Sequence, residues 1–268
     1  MTTMMLLLSI NAFADNLKYI EQYDIPYKES QDAYTAERCK LDIHYPTDTT
    51  GCPVVVWFHG GGLTQGSKSF PWKLKEKGMV LVAVGYRLLP KVEISECLDD
   101  AAAAIAWVFR EIEKYGGDKR KIFISGHSAG GYLTAMTGLD KQWLARYDTD
   151  ADEIAGLIPF SGQMISHFSY REMKGIGNLQ PVIDEYAPLF HVRKDAPPLI
   201  LITGDRNIEL FGRYEENAYM WRMMKLTGHT DTYLYEIDGH GHGSMAEPAY
   251  HILENHVKKI TGMPVDNN

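Results

Sequence analysis

Residues 126–131 read Gly126-His127-Ser128-Ala129-Gly130-Gly131 and directly follow the apolar run Ile122-Phe123-Ile124. A serine in a G-x-S-x-G setting between a strand and a helix forms a nucleophile elbow, a turn so tight that its neighbours must lack bulk. The chemistry this permits is acyl transfer. The hydroxyl attacks a carbonyl once an imidazole takes its proton, and a carboxylate fixes the tautomer of that imidazole. Charge developing on the attacked oxygen needs preorganised N–H donors. His59-Gly60-Gly61-Gly62, after Val54-Val55-Val56-Trp57-Phe58, offers such donors at Gly61 and Gly62. Ala129 offers a third, just past the serine, where the dipole of the following helix favours negative charge. G-x-S-x-G matches arise by chance in a chain with 24 glycines, so the weight rests on the two motifs together. His59 itself precedes its loop and reads as an organiser of it.

The base and the acid are less sharply marked. Asp238-Gly239-His240-Gly241-His242-Gly243 holds two candidate bases, His240 and His242. Two histidines without carboxylate or cysteine partners nearby do not make a zinc site, so no metal is expected. Chain order in this kind of triad runs serine, acid, histidine, which places the acid in Gly204-Asp205-Arg206-Asn207-Ile208-Glu209. Asp205 and Glu209 both qualify there, against the plainer reading of either as a solvated turn or a partner of Arg206 or Arg213.

The elements that must position these groups follow from periodicity. Cys39–Tyr45 reads as an early strand, and Val54–Phe58 and Val80–Tyr86 as apolar runs of the kind buried on both faces of a parallel sheet. Apolar residues at 101, 104, 105, 108 and 112 have the spacing of an amphipathic helix within Ser95–Lys114. Ile122–Ile124, Ile154–Phe160, Leu199–Thr203 and Thr232–Ile237 are further strands. Ala129–Leu139, Phe211–Leu226 and Pro248–Ile260 are further helices. Such alternation implies a mostly parallel sheet covered on both faces, an α/β fold with its site at the carboxyl ends of the strands. His59, Ser128, Ser161, Asp205 and His242 all fall just past strand ends. Residues 162–196 break the alternation and are expected to form a lid inserted over that edge, within a single domain spanning 15–268.

Composition narrows the function classes. A net charge of −8 argues against nucleic acid, which needs a basic face. No run of 18 apolar residues is present, so no membrane span is expected. Met4-Met5-Leu6-Leu7-Leu8-Ser9-Ile10 followed by Ala12-Phe13-Ala14 reads as a leader ending at residue 14, hence export, although a positive n-region is missing. Cys39, Cys52 and Cys97 fit no metal spacing and read as buried thiols.

With H-G-G-G, Gly85-Tyr86-Arg87-Leu88 and G-H-S-A-G-G in register, the chain resembles the α/β-hydrolase superfamily from about residue 38 to 262. It looks closest to the small esterases of the hormone-sensitive-lipase and bacterial feruloyl/acetyl-esterase groups. The resemblance implies a serine carboxylic-ester hydrolase without metal or organic cofactor. Its substrates would be small-molecule or carbohydrate esters with short or aromatic acyl groups, acetyl and feruloyl among them. It maps the oxyanion hole to Gly61, Gly62 and Ala129, and the base to His242, because His-Gly-x-Met before Glu247-Pro248 looks like the family's base segment. One departure concerns the acid, which relatives often carry three residues after the strand-ending glycine, where this chain has Asn207. Ser128, His242 and Asp205 are the expected triad, with Glu209 the alternative acid. Aryl-formamide hydrolysis by the same triad and a catalytically weak binding protein are the competing functions.

Overall fold

Residues 17–264 are described by the computed structural model of the protein, so the leader expected over 1–14 lies outside them. One eight-stranded sheet runs in the order β1-β2-β4-β3-β5-β6-β7-β8. Its strands are β1 Tyr19–Pro26, β2 Lys40–Pro46, β3 Cys52–Phe58, β4 Val80–Val84, β5 Gly117–His127, β6 Gly156–Phe160, β7 Leu199–Gly204 and β8 Thr232–Ile237. From β4 through β8 every pairing is parallel, and β2 and β1 join antiparallel at one edge.

Strand β3 shows why the apolar runs are unbroken. Val54, Val56 and Phe58 enter one core, while Val55 and Trp57 enter the other. A side-chain period of two divides a fully buried strand between two layers. The first layer is covered by α2 (Ile94–Glu111), α3 (Ala129–Leu139) and the methionines Met220 and Met224 of α6 (Arg213–Leu226). The second is covered by α7 (Ala246–Thr261) through Ala249, Leu253 and Val257. Strand β1 has no counterpart in the sequence pattern. Most of its residues are exposed, so it carries no apolar alternation, and its ladder to β2 holds it in place.

The Gly85-Tyr86-Arg87-Leu88 segment follows β4 and ties that strand end to helix α2. Asp100, fully buried on α2, takes two side-chain bonds from Arg87 at 2.8 Å each and one from Lys28 at 2.6 Å. Burial pushes the Asp100 carboxyl up, but the Arg87 and Lys28 charges outweigh it and hold it below the usual range. Removing one partner of such a buried set leaves an uncompensated charge, at a cost of about 3–5 kcal/mol.

Residues 162–196 carry α5 (Phe168–Met173) and a 3₁₀ turn at Pro188–His191. Tyr132 of α3 donates its hydroxyl to Tyr186 O at 2.8 Å, and Leu189 N donates to Met164 O at 2.9 Å. Arg171, nearly fully buried, donates Nε to Ser166 O at 3.0 Å and a second nitrogen to Gln180 O. Arg171 thus ties this irregular segment to itself through backbone carbonyls, and Tyr132 ties it to α3. Cys39, Cys52 and Cys97 are free and buried.

Candidate active site

Ser128 sits between β5 and α3 with φ 57° and ψ −114°. That backbone costs on the order of 1–3 kcal/mol and must be held by its surroundings. Ser128 N donates to Phe160 O at 2.8 Å, and Ser128 O accepts from Tyr132 N at 3.0 Å. The elbow needs its glycines for close approach. A Cβ on Gly126 would lie 2.6 Å from Phe58 O, and one on Gly130 only 2.0 Å from the same oxygen.

His242 Nε2 lies 2.8 Å from Ser128 Oγ, and His242 Nδ1 lies 2.7 Å from Glu209 Oε1. A carboxylate only accepts, so Nδ1 carries the proton and Nε2 is the acceptor facing the serine. Glu209 takes further bonds from Ser161 Oγ at 2.6 Å, Gly204 N at 3.0 Å and Leu210 N at 2.8 Å. Burial alone would raise this carboxyl. The donors from His242, Ser161 and Leu210 outweigh it and hold Glu209 down at about 2. It is therefore ionised at neutral pH.

Asp205, the acid expected from the sequence, does not reach His242, and this corrects that assignment. Its Oδ1 accepts from Asn207 N at 2.8 Å and Asn207 Nδ2 at 3.0 Å, and its Oδ2 from Gly239 N at 2.9 Å. Its own N–H donates to His240 O at 2.8 Å. Asp205 thus clamps the histidine loop through its backbone. The physical reason lies in the path of the chain after β7. Ile208 N and Glu209 N both bond back to Asp205 O, at 3.0 and 2.8 Å. That helical turn returns Glu209 over the strand end. Gly204 leaves room for it, since a Cβ there would lie 2.9 Å from Glu209 Oε2 and 2.4 Å from His240 O. Glutamate's extra methylene supplies the reach.

His240 turns the other way, its Nδ1 3.0 Å from Asp238 O, into a shallow groove with Lys73, Glu247 and Tyr250. Among the described residues no group of three or more His, Cys, Asp or Glu could hold a metal.

The second glycine motif packs beside the serine. A Cβ on Gly60 would lie 3.4 Å from Ser128 Cβ. Tyr86 of the Gly-Tyr-Arg-Leu segment donates its hydroxyl to His59 O at 2.8 Å, and the two rings stack at 4.3 Å. Burial lowers the His59 imidazole to about 4, so it stands neutral. The loop carbonyls are occupied: Gly61 O by Thr64 N and Gln65 N, and Gly62 O by Ser169 Oγ at 2.5 Å. The N–H groups of Gly61, Gly62 and Ala129 have no protein acceptor among the described residues. Phe168, half-buried, overhangs this loop, with its Cζ 3.1 Å from where a Gly62 Cβ would stand.

Residues 41–210, more than half of the chain, match the family model BD-FAE. The chain belongs to the BD-FAE family. It has the α/β-hydrolase fold, a mostly parallel sheet that carries helices on both faces. Among solved structures, a truncated carbohydrate esterase from gut microbiota superposes with a TM-score of 0.76 at 17% identity, covering 92% of this chain and 98% of that one. Est2, an esterase of Thermogutta terrifontis, gives 0.72 at 22% identity, covering 92% and 95%. Curated relatives include Esterase LipC of Mycobacterium tuberculosis, 27% identical over 76% of this chain and 56% of its own length. Kynurenine formamidase of Danio rerio is 31% identical over 61% of this chain and 48% of its own. The chain spans about half the length of the curated relatives it matches.

Three residues at the BD-FAE site escaped assignment from the sequence. Ser161, with φ 47° just past β6, donates to Glu209 and stands 3.1 Å from His242 Nδ1. Its place at a strand end was the only signal of it. Arg213, almost completely buried, donates Nη1 to Ser161 O; in the sequence it figures only as a possible ion-pair partner of Asp205 or Glu209. The third is His127.

Proposed function

We propose that the protein hydrolyses carboxylic esters through a Ser128 acyl-enzyme. The observation that carries this reading is the continuous hydrogen-bonded path from Ser128 Oγ through His242 to Glu209 Oε1, beside three N–H groups that no atom of the described residues accepts from. Ser128 Oγ attacks the ester carbon as His242 Nε2 takes its proton. Gly61, Gly62 and Ala129 receive the oxyanion. Collapse breaks the bond to the alcohol, which leaves with the proton from Nε2. Water then enters with His242 as its base, and the acid departs from Ser128. A hole donor of this kind is worth about 2.7–4 kcal/mol of barrier.

Short or aromatic acyl groups, such as acetyl and feruloyl on carbohydrate, are the substrates this reading favours. Phe168 stands over Gly62, where it would crowd a long chain, and Tyr170 and Tyr186 lie with centroids 5.0 Å apart on the same segment. The gut carbohydrate esterase with this fold supports the same class. A nitrophenyl ester panel of rising chain length, beside feruloyl esters and acetylated sugars, tests it. A rate that climbs steadily from acetate to dodecanoate would refute it.

Cleavage of aryl formamides is the second reading, favoured by the identity to the zebrafish formamidase. An N-formyl arylamine turned over faster than every ester in the panel would establish it. Export is part of the proposal, resting on Ala12-Phe13-Ala14. An N-terminus at Asp15 on protein recovered from the native host tests it.

A further inference from the structure

His242 stands between Gly241 and Gly243. Nothing lies within 4 Å of where a Gly243 Cβ would be, so packing does not restrain the backbone there. Glycine loses more conformational freedom on ordering than any other residue. A base on such a loop needs a restraint from outside. Asp205 supplies two at Gly239 and His240, and Met245 N supplies one at Gly241 O, 3.0 Å. On the backbone of His242 itself one bond is made among the described residues, from His127 Nε2 to His242 O at 2.7 Å.

We propose that His127 is a positioning residue which, through this bond, fixes the backbone of His242 relative to the nucleophile beside it in sequence. The inference rests on the triad reading above and goes beyond it. A carbonyl only accepts, so Nε2 carries the proton and His127 acts as a neutral donor. Desolvation, and then the nearby His242 ring, lower it to about 4, consistent with that state. The two rings stand 4.8 Å apart. His127 Nδ1 lies 3.4 Å from where a Gly60 Cβ would stand, so one imidazole bonds the base loop, stands beside the oxyanion loop and is covalently joined to the elbow. A displacement of the base by about 1 Å can cost on the order of 10² in rate.

The test uses two amides. The Nε2 of Gln overlays the Nε2 of His, whereas the Nδ2 of Asn falls short of the carbonyl. In H127Q, kcat on p-nitrophenyl acetate is expected to stay within about fivefold of the parent. In H127N it is expected to fall roughly 10²-fold with KM nearly unchanged. Equal losses in both variants, or none in H127N, would overturn the proposal. H127F, which keeps the ring volume without the donor, should behave as H127N. A second readout needs no substrate: in ¹⁵N-histidine protein the His242 Nδ1–H resonance should persist in H127Q and broaden or vanish in H127N. It therefore separates failure of this inference from failure of the esterase reading, which an inactive parent enzyme would show. Unchanged resonances in both variants would count against His127.

Discussion

Two halves of one site are built by different physics. The nucleophile and the oxyanion loop sit on β5 and β3, neighbours in the sheet, and each is made by a short glycine motif that the close approach of the two strand ends demands: a Cβ on Gly126 or Gly130 would meet Phe58 O, and one on Gly60 would meet Ser128. The acid and the base come from loops after β7 and β8, and neither loop has a motif that dictates its shape. They are held by contacts between one another: Asp205 to Gly239 and His240, Glu209 to Gly204, His242 and Ser161. Local geometry is written in residue type. Which of two carboxylates reaches an imidazole is decided by how the chain turns in between.

The deepest break in this comparison removes the pair that joins the halves. Ser128→Ala and His242→Ala should each lower kcat on p-nitrophenyl acetate by on the order of 10⁶, and the double variant no further, because the two act as a unit. Losses that multiply would mean they act independently.

Gly204→Ala should strike the acid–base half alone. Its Cβ would meet Glu209 Oε2 and His240 O, displacing both loops. A fall in kcat of roughly 10² is expected, with a folded, soluble protein. Parental kcat would mean the crowding at Gly204 is relieved without moving the triad.

Phe168→Ala sharpens the picture on the oxyanion side. Opening the space over Gly62 should let longer acyl chains bind, by up to about 0.8 kcal/mol per methylene, or about fourfold in kcat/KM. An unchanged chain-length profile would place the acyl group elsewhere.

The smallest effect is on stability. His59 and His127 are lowered from 6.5 to about 4 in the folded protein. Between those values the unfolded chain binds more protons, so stability falls as the pH drops through that window and is constant from this source above it. Melting temperature measured from pH 8 to pH 4 should decline below about 6.5, and less steeply in H127Q. A profile flat through the window would mean the two imidazoles are not buried neutral.

The strands were legible because burial on both faces writes an unbroken apolar run, as in Val54–Phe58 and Val80–Val84. Strand β1 was not, because an exposed edge asks nothing apolar of its residues. At the site, Gly126 and Gly130 are demanded by the close approach of Phe58 O, and Gly61 by Gln65 O, and a position that only glycine can fill shows in residue type whatever crowds it. The sequence offers Glu209 as an acid beside Asp205, with Asp205 preferred. What reverses that order is the turn that bonds Glu209 N to Asp205 O together with the tertiary bonds of Glu209 to Ser161 and His242. Ser161 and Arg213 act through contacts 48 and 52 residues apart in sequence, beyond any local pattern.

The central claim is that Glu209, and not Asp205, holds the His242 imidazole. It is tested most directly by kcat on p-nitrophenyl acetate for Glu209→Gln and Asp205→Asn side by side. Glu209→Gln is expected to lose on the order of 10⁴, the size of effect seen when an amide replaces a triad acid. Asp205→Asn should lose roughly tenfold or less, since it loosens the histidine loop without touching the imidazole. A large loss in Asp205→Asn with near-parental turnover in Glu209→Gln would contradict the assignment.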